Sequence, residues 1–544
     1  MDSLLEHAAD VESLERLSRF RVEFYRCLTA RGDELFELAD AVLCADGPVR
    51  SLAGLSLVPE HRRGHGALYD AVNCGQLAVG RLRRSLAGLP LPRDPGGRLV
   101  LAVDVSGWLR PHADTSPQRL YCHVHGGTGG PVQMVPGWPY SVIAALEPGR
   151  TSWSAVLDAV RLGPDDDATE VTAAQVREVM ARLAGAGHHR PGDPPVLFVF
   201  DAGYDVPRLA YLLADLPVEL LGRLRGDRVM RLPAPPRRLG DPGRPRRHGA
   251  ELALADPATW PVPHAATATV TERYGTAAAA AWDRVHPRLA RRNAWAGHAG
   301  QLPVIEGTLV RLTVDRLPGN RSPKPVWLWS SRPGVTPDRV GRLWQAFMRR
   351  FDIEHTFRLF KQVLGWTAPK VRDPAAADRW TWLVIACYAQ LRLARPLAAD
   401  LRLPWERPAP PGRLTPARVR RGFRNLRAKT AQPASAPKPA RPGPGRPPGS
   451  KNRHPAASHD VGKTTKRNPA TPRATKTSRL NDKIDFSHSC ARYARYMTPK
   501  LIGGGPGTQK LIASRRLPEG PAHVERGRPA STAGWLSQLP GTGR

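Results

Sequence analysis

Between Phe347 and Lys361 the chain sets an acid between two cations at helical intervals. At about 100° per residue, Phe347, Arg350, Glu354 and Lys361 fall within an arc of about 60° on one helix. Ile353, Phe357, Phe360 and Leu364 follow three- and four-residue spacing on the adjoining arc, which supplies the apolar side that fastens such a helix to a core. A solvated helix with an Arg–Glu pair at i, i+4 accounts for the same pattern. Two short upstream runs separate the readings, because each is apolar and ends in an aspartate: Arg98-Leu-Val-Leu-Ala-Val-Asp104 and Val196-Leu-Phe-Val-Phe-Asp201. Runs of this kind read as buried strands, where a terminal acid is costly unless it meets a cation or a metal. If the two strands are neighbours and the helix of Glu354 packs beside them, three carboxylates converge. Such a hard, oxygen-rich setting suits Mg²⁺ or Mn²⁺.

At these residues the chain resembles the DDE transposases of bacterial insertion sequences. It is most similar to the branch whose third acid sits in Tyr-x2-Arg-x3-Glu-x6-Lys, here Phe347-x2-Arg350-x3-Glu354-x6-Lys361 with Phe for Tyr. The second acid stands in Asp201-Ala-Gly203-Tyr204-Asp205, similar to the Asp-x-Gly-Tyr/Phe run, and the first in Val103-Asp104-Val105-Ser106. The resemblance spans residues 98 to 400 and implies an RNase H-like α/β core whose first and fourth strands lie side by side, bringing Asp104 to Asp201. It further implies that Asp104, Asp201 and Glu354 are catalytic and hold two divalent ions, Mg²⁺ with Mn²⁺ as the substitute, that cut and rejoin DNA. Arg350 and Lys361 would then bind phosphates near the scissile bond. The partners would be double-stranded DNA, as inverted-repeat ends and as target, and a second copy of the chain when DNA is bound.

Bulk properties agree with a polyanionic partner. The 544 residues carry a formal charge of +33, most simply balanced by nucleic acid phosphates, with a membrane surface as the competing polyanion. No apolar run approaches the length of a membrane span, and Met1-Asp-Ser-Leu-Leu-Glu lacks the basic start and apolar centre of a secretion signal, so a cytoplasmic, nucleoid-associated protein is expected. The six cysteines, Cys27, Cys44, Cys74, Cys122, Cys387 and Cys490, show no C-x-x-C spacing and read as free thiols.

The elements that must position the acids divide the chain into five parts. Residues 1–95 read as a helical domain, with helices over Val11–Ala30, Asp33–Cys44 and Ala67–Leu86. Its basic residues, His61-Arg62-Arg63 and Arg81 to Arg84, either contact phosphates of a DNA end or face solvent. Residues 96–222 form the first part of the core, with strands ending in Asp104 and Asp201 and others over Gln118–His125, Val132–Val135 and Ser141–Leu146. His123 and His125 share a strand face but lack a third soft ligand nearby, and Asp165-Asp166-Asp167 reads as a helix cap. Asp205 reads as the cap of a helix starting near Pro207, or as a further acid behind Asp201.

Residues 223–336 read as a basic loop followed by a β-rich insertion, with strands over Ala268–Val270, Thr308–Val314 and Val326–Ser330. Trp327 and Trp329 share a face there that is either core or a stacking platform for a base. Residues 337–402 complete the core with the Glu354 helix and an apolar helix over Thr381–Leu393. Residues 403–544 read as a mostly disordered basic tail. Within it, Gly443-Pro-Gly445-Arg446-Pro447-Pro448-Gly449 resembles an AT-hook, whose Gly-Arg-Pro core lies in an A·T minor groove, so Arg446 is a further candidate DNA contact.

Two other functional classes share these features. A nuclease with the same core but no strand transfer would keep every acid, and a catalytically inactive, transposase-derived DNA-binding protein would keep the charge and the fold.

Overall fold

The periodic apolar residues that open the chain fold as expected. In the computed structural model, which describes residues 2–125, 132–149, 151–237, 243–272, 274–317, 323–410, 412–438, 449 and 455–462, helix α1 (Asp2–Cys27) buries Leu17, Phe20 and Phe24. Strand β1 (Leu28–Ala30) leads into α2 (Gly32–Cys44), whose residues from Leu35 onward are all buried, and then α3 (Leu52–Leu55). The single helix expected over Ala67–Leu86 is two, α4 (His65–Cys74) and α5 (Val79–Ala87), separated by β2 (Gln76–Leu77), which pairs with β1. Gly75 makes the break: a Cβ there would lie 2.4 Å from the Ala71 carbonyl oxygen and 2.8 Å from Leu35 Cδ1. Arg62, Arg63, Arg81 and Arg83 are engaged within the fold. Arg63 reaches Asp33, and Arg62 with Arg63 holds the buried Glu37, while Arg81 pairs with Glu23 and Arg83 with Asp158.

From Val100 the chain becomes a sheet. Its core strands are β3 (Val100–Leu109), β4 (Leu120–His125), β5 (Val132–Leu146), β6 (Ser154–Arg161), β7 (Val196–Phe200) and β8 (Val218–Leu224), with α6 (Ala168–Gly185) and α7 (Val206–Leu212) between them. The two strands expected over 132–146 are one, and β6 is an additional strand that the sequence pattern does not mark. β3 lies antiparallel to β5 and parallel to β7, and β7 is parallel to β8. The order β6-β5-β3-β7-β8 is consistent with an RNase H-like core within a larger mixed α/β sheet.

The strands after β8 continue that sheet. They are β9 (Val229–Arg231), β10 (Glu251–Ala253), β11 (Ala265–Thr271), β12 (Gly275–Pro287), β13 (Gly307–Val314) and β14 (Val326–Ser330), and β14 joins β8 edge to edge. Trp327 and Trp329 are both core residues: Trp327 packs on Trp282 and Trp260, and the Trp329 indole N–H donates to the Val285 carbonyl at 2.9 Å. The stacking role considered for them is therefore withdrawn. Helices α8 (Pro337–Arg349), α9 (Phe351–Gln362) and α10 (Pro374–Ala394) cover the face of the sheet that carries Ala102, Trp108 and Val142, while α6 and α7 cover the opposite face, that of Leu101, Val103 and Ile143. Order also runs past residue 403, against the expected tail boundary. Helix α11 (Pro416–Arg427) buries Val419 and Phe423, and its Arg420 donates to the carbonyls of Val42 and Gly47. Gly462 bridges to Leu120 at the β4 edge, and its N–H donates to the Arg119 carbonyl at 2.8 Å.

Among the described residues no helix is long and apolar enough to cross a membrane, and Cys27, Cys44, Cys74, Cys122 and Cys387 are free thiols. Cys490 and Arg446, with the AT-hook-like segment except Gly449, lie outside the described residues.

A histidine pair in the insertion, His286 buried and His248 half-buried, gives a stability prediction. His248 Nδ1 and His286 Nε2 are 2.9 Å apart, and His286 Nδ1 is 3.3 Å from the Arg284 carbonyl. One assignment satisfies both contacts: His286 Nδ1–H donates to the carbonyl and His286 Nε2 accepts from His248, with both rings neutral. Burial pushes the pKa of His286 below its usual range, and burial with the adjacent His286 does the same to His248. The stability these neutral rings contribute is complete above about pH 6.5 and is lost as pH falls below it, because the unfolded chain takes up protons first. Thermal melts from pH 8 to pH 5 should therefore show a fall in Tm on the acid side that is shallower in His286→Gln. An equally steep fall in that variant would assign the acid lability to other groups.

Candidate active site

Asp104 lies in the middle of β3, which runs five residues past the apolar run that marked it. It projects from the face covered by α9 and α10, since Ala102 and Trp108 on the same face pack there. One Asp104 oxygen accepts from the Val105 N–H at 2.9 Å. Asp201 follows the last residue of β7, and because Val103 is in parallel register with Phe200, the next residues along, Asp104 and Asp201, are lateral neighbours. The chain then turns through Gly203, and Asp205 caps α7 by accepting from the Arg208 N–H at 3.2 Å. The capping reading of Asp205 holds, as it does for Asp167, which accepts from the N–H groups of Thr169 and Glu170.

Glu354 comes from the first turn of α9, where a carboxylate is favoured by the helix dipole. α9 is fastened by buried Ile353, Phe357 and Phe360 and by a hydrogen bond of 2.8 Å between the hydroxyls of Thr356 and Ser154 of β6. The continuous helix expected over Phe347–Lys361 is instead two helices meeting at Arg350. The wheel that spaced Arg350 and Glu354 still serves, because Arg350 keeps αR dihedrals at the joint.

The joint places Arg350 at the centre of the site. Its guanidinium donates to Asp104 at 3.2 Å and lies 3.7 Å from Asp201 and 3.6 Å from Glu354. Three carboxylates far apart in sequence thus surround one cation. Arg350 is 2 % exposed, whereas the side chains of Asp104, Asp201 and Glu354 are 20, 39 and 37 % exposed, so the acids rather than the arginine face solvent. Arg350, expected to bind phosphates near the scissile bond, is thus enclosed behind the acids. Phe347, standing where a tyrosine was expected, is buried and packs with Phe351 about the same guanidinium, at 5.8 and 4.8 Å. Lys361 is exposed, about 10 Å along α9 from Glu354, with its ammonium 5.7 Å from the Trp366 ring.

The electrostatics follow from crowding. Burial, only partly offset by Arg350 and reinforced by Glu354 and Asp201, pushes Asp104 up to about 6. Burial likewise raises Glu354, against Arg350 and with Asp201 adding to the rise. Asp201 Oδ1 is a buried acceptor with no hydrogen bond, and the nearest further cation, Arg223 at the end of β8, stands 4.0 Å away. By sequence alone Arg223 reads as the start of a basic loop. The register that pairs Phe200 with Gly222 makes residue 223 the lateral neighbour of Asp201, and that register was the missed signal.

Among the described residues no three His, Cys, Asp or Glu side chains are closed around a point that could hold a metal ion. Here the Arg350 guanidinium stands between the acids. The donor set nevertheless fits a hard divalent cation: it is all oxygen, it includes a buried acceptor with no hydrogen bond, and its three carboxylates outnumber the two arginines near them. His123 lies on exposed β4 surface, and nothing groups it with the acids.

Residues 23–288 match a family described as DDE superfamily endonuclease. The match includes Asp104 and Asp201 and ends before Glu354. No protein of curated description matches the chain.

Proposed function

We propose that this member of the DDE superfamily, a family of metal-dependent endonucleases acting on DNA, is a transposase that cuts the ends of a mobile element and joins them to target DNA. The observation that carries the reading is the approach of Asp104, Asp201 and Glu354 to one guanidinium, each within 3.7 Å. In this reading the three acids hold two divalent ions, Mg²⁺ or Mn²⁺, which supply Lewis-acid activation of the attacking oxygen and stabilise the leaving one. Asp104 and Asp201 hold their oxygens on adjacent parallel strands, and Glu354 closes the third side from a helix pinned at Thr356. The rigidity of that frame fixes the scissile phosphate in line with its attacker. Water attack on the phosphorus breaks the bond to the 3′ oxygen at the element's end and leaves a free 3′-hydroxyl. That hydroxyl then attacks a target phosphorus, its proton leaves to solvent, and the target's own 3′ oxygen departs. Lys361, exposed along the same helix, and Arg446 in its Gly-Arg-Pro setting bind the DNA backbone and minor groove, and two copies act on the paired ends.

The family description, endonuclease, suits cleavage without joining as well, and one assay separates the two. The full chain is incubated with Mg²⁺, DNA carrying the ends that flank its coding region, and a circular target. Cleaved ends covalently joined to the circle are the expected products. Cleavage with no joined product would reduce the reading to a nuclease, and neither would overturn it.

A further inference from the structure

Arg350 does not behave as an ordinary ion-pair partner. Several other arginines in the molecule close tightly on one carboxylate, as Arg21 does on Asp40 at 2.8 Å and Arg98 on Glu219 at 2.7 Å. Arg350 makes one long hydrogen bond, to Asp104 at 3.2 Å, and stands 3.7 and 3.6 Å from Asp201 and Glu354, and so spreads one charge over all three. Its own position is set from behind. The side chain is clasped by the Phe347 and Phe351 rings at the joint of two helices, and α8 is anchored by buried Val340, Leu343 and Phe347. The cation is therefore fixed by packing, with the three carboxylates around it.

We propose that Arg350 is a positioning residue that stands in for the divalent cation, gathering Asp104, Asp201 and Glu354 before the ion binds and yielding the centre of the site when it does. This rests on the reading that those acids hold metal. Two consequences follow from Coulomb's law in a partly desolvated site. Without Arg350 the acids repel one another, so the metal-free protein loses stability. The same loss removes a positive charge that competes with the ion, so metal binds more tightly. A purely structural arginine would give the first effect and not the second.

The test compares the wild-type chain with Arg350→Met, Arg350→Gln and Arg350→Lys. Mn²⁺ binding is measured by titration calorimetry, and Tm is measured with and without Mn²⁺. Both neutral variants should melt lower than wild type without metal, regain more Tm than wild type when Mn²⁺ is added, and bind Mn²⁺ about tenfold more tightly or better. Arg350→Lys, which keeps the charge, should stay near wild-type affinity, and Arg350→Gln carries the comparison if the methionine variant does not fold. Equal or weaker Mn²⁺ binding in the neutral variants, while wild-type binding is lost in Glu354→Gln, would overturn the role of Arg350 and leave the metal site standing. If the wild-type chain bound no Mn²⁺ that depends on Glu354, the metal reading and this one would fall together.

Discussion

A Glu354→Gln chain is expected to bind cognate DNA as the parent does and to cleave it on the order of 10³-fold more slowly or worse. The amide has the size of the carboxylate, and the side chain is 37 % exposed at the surface of the cluster, so the fold has no reason to change. α9 keeps its buried Ile353, Phe357 and Phe360 and its Thr356–Ser154 hydrogen bond. What goes is one negative charge and one strong oxygen donor in a site that must hold cations. Binding should be unchanged or slightly tighter, since the DNA meets one carboxylate fewer. A gel-shift titration beside a nicking assay on the same DNA checks both halves. Cleavage at the parent rate would remove Glu354 from the site and leave Asp104 and Asp201 without their third partner.

What the sequence disclosed about this site, and what it hid, have physical reasons. Asp104 and Asp201 were legible because an acid next to a run of buried Val, Leu and Phe is expensive, and few arrangements relieve the cost. Parallel pairing of β3 with β7 provides one of them. The joint at Arg350 was not legible, since αR dihedrals carry the helical spacing across it and one wheel describes both helices. β12 was hidden for the opposite reason. Ala277 to Ala281 has the strongest local preference for helix, yet Ala277, Ala279 and Ala281 lie buried under α8 in a strand clamped between β11 and β13. Only small side chains let the helix approach there, and that demand is tertiary. The same holds for α11, which is so rich in arginine that it reads as tail. Its Arg424 is satisfied by the Glu60 carboxylate and the Cys44 carbonyl, partners supplied by residues nearly four hundred positions earlier. Positive charge in this chain is thus a poor guide to DNA contact residue by residue, because many arginines are consumed inside the fold.

The largest stability effect should come from one of those consumed arginines. Arg21 is fully buried on α1, and its guanidinium donates to both Asp40 oxygens at 2.8 and 3.0 Å, to Gln390 Oε1 at 2.7 Å and, through Nε, to the Ala431 carbonyl at 3.0 Å. One side chain thereby ties α1 to α2, to α10 and to the segment after α11. Arg21→Met keeps much of the volume and leaves Asp40, 1 % exposed, with Arg427 at 2.7 Å as its remaining partner. Breaking a buried pair from one side typically costs about 3–5 kcal/mol, and Arg427 places this case near the lower figure. The half-exposed pair Arg81–Glu23 provides the contrast, since Arg81→Met should cost far less than Arg21→Met. Adding Asp40→Leu to Arg21→Met should restore part of the loss, because the orphaned carboxylate is gone and Arg427, 22 % exposed, can turn to water. Urea unfolding of the three variants beside wild type measures all of this. If Arg21→Met proved no more costly than Arg81→Met, the buried network would not be what fastens the segment after α11 to the helical layer.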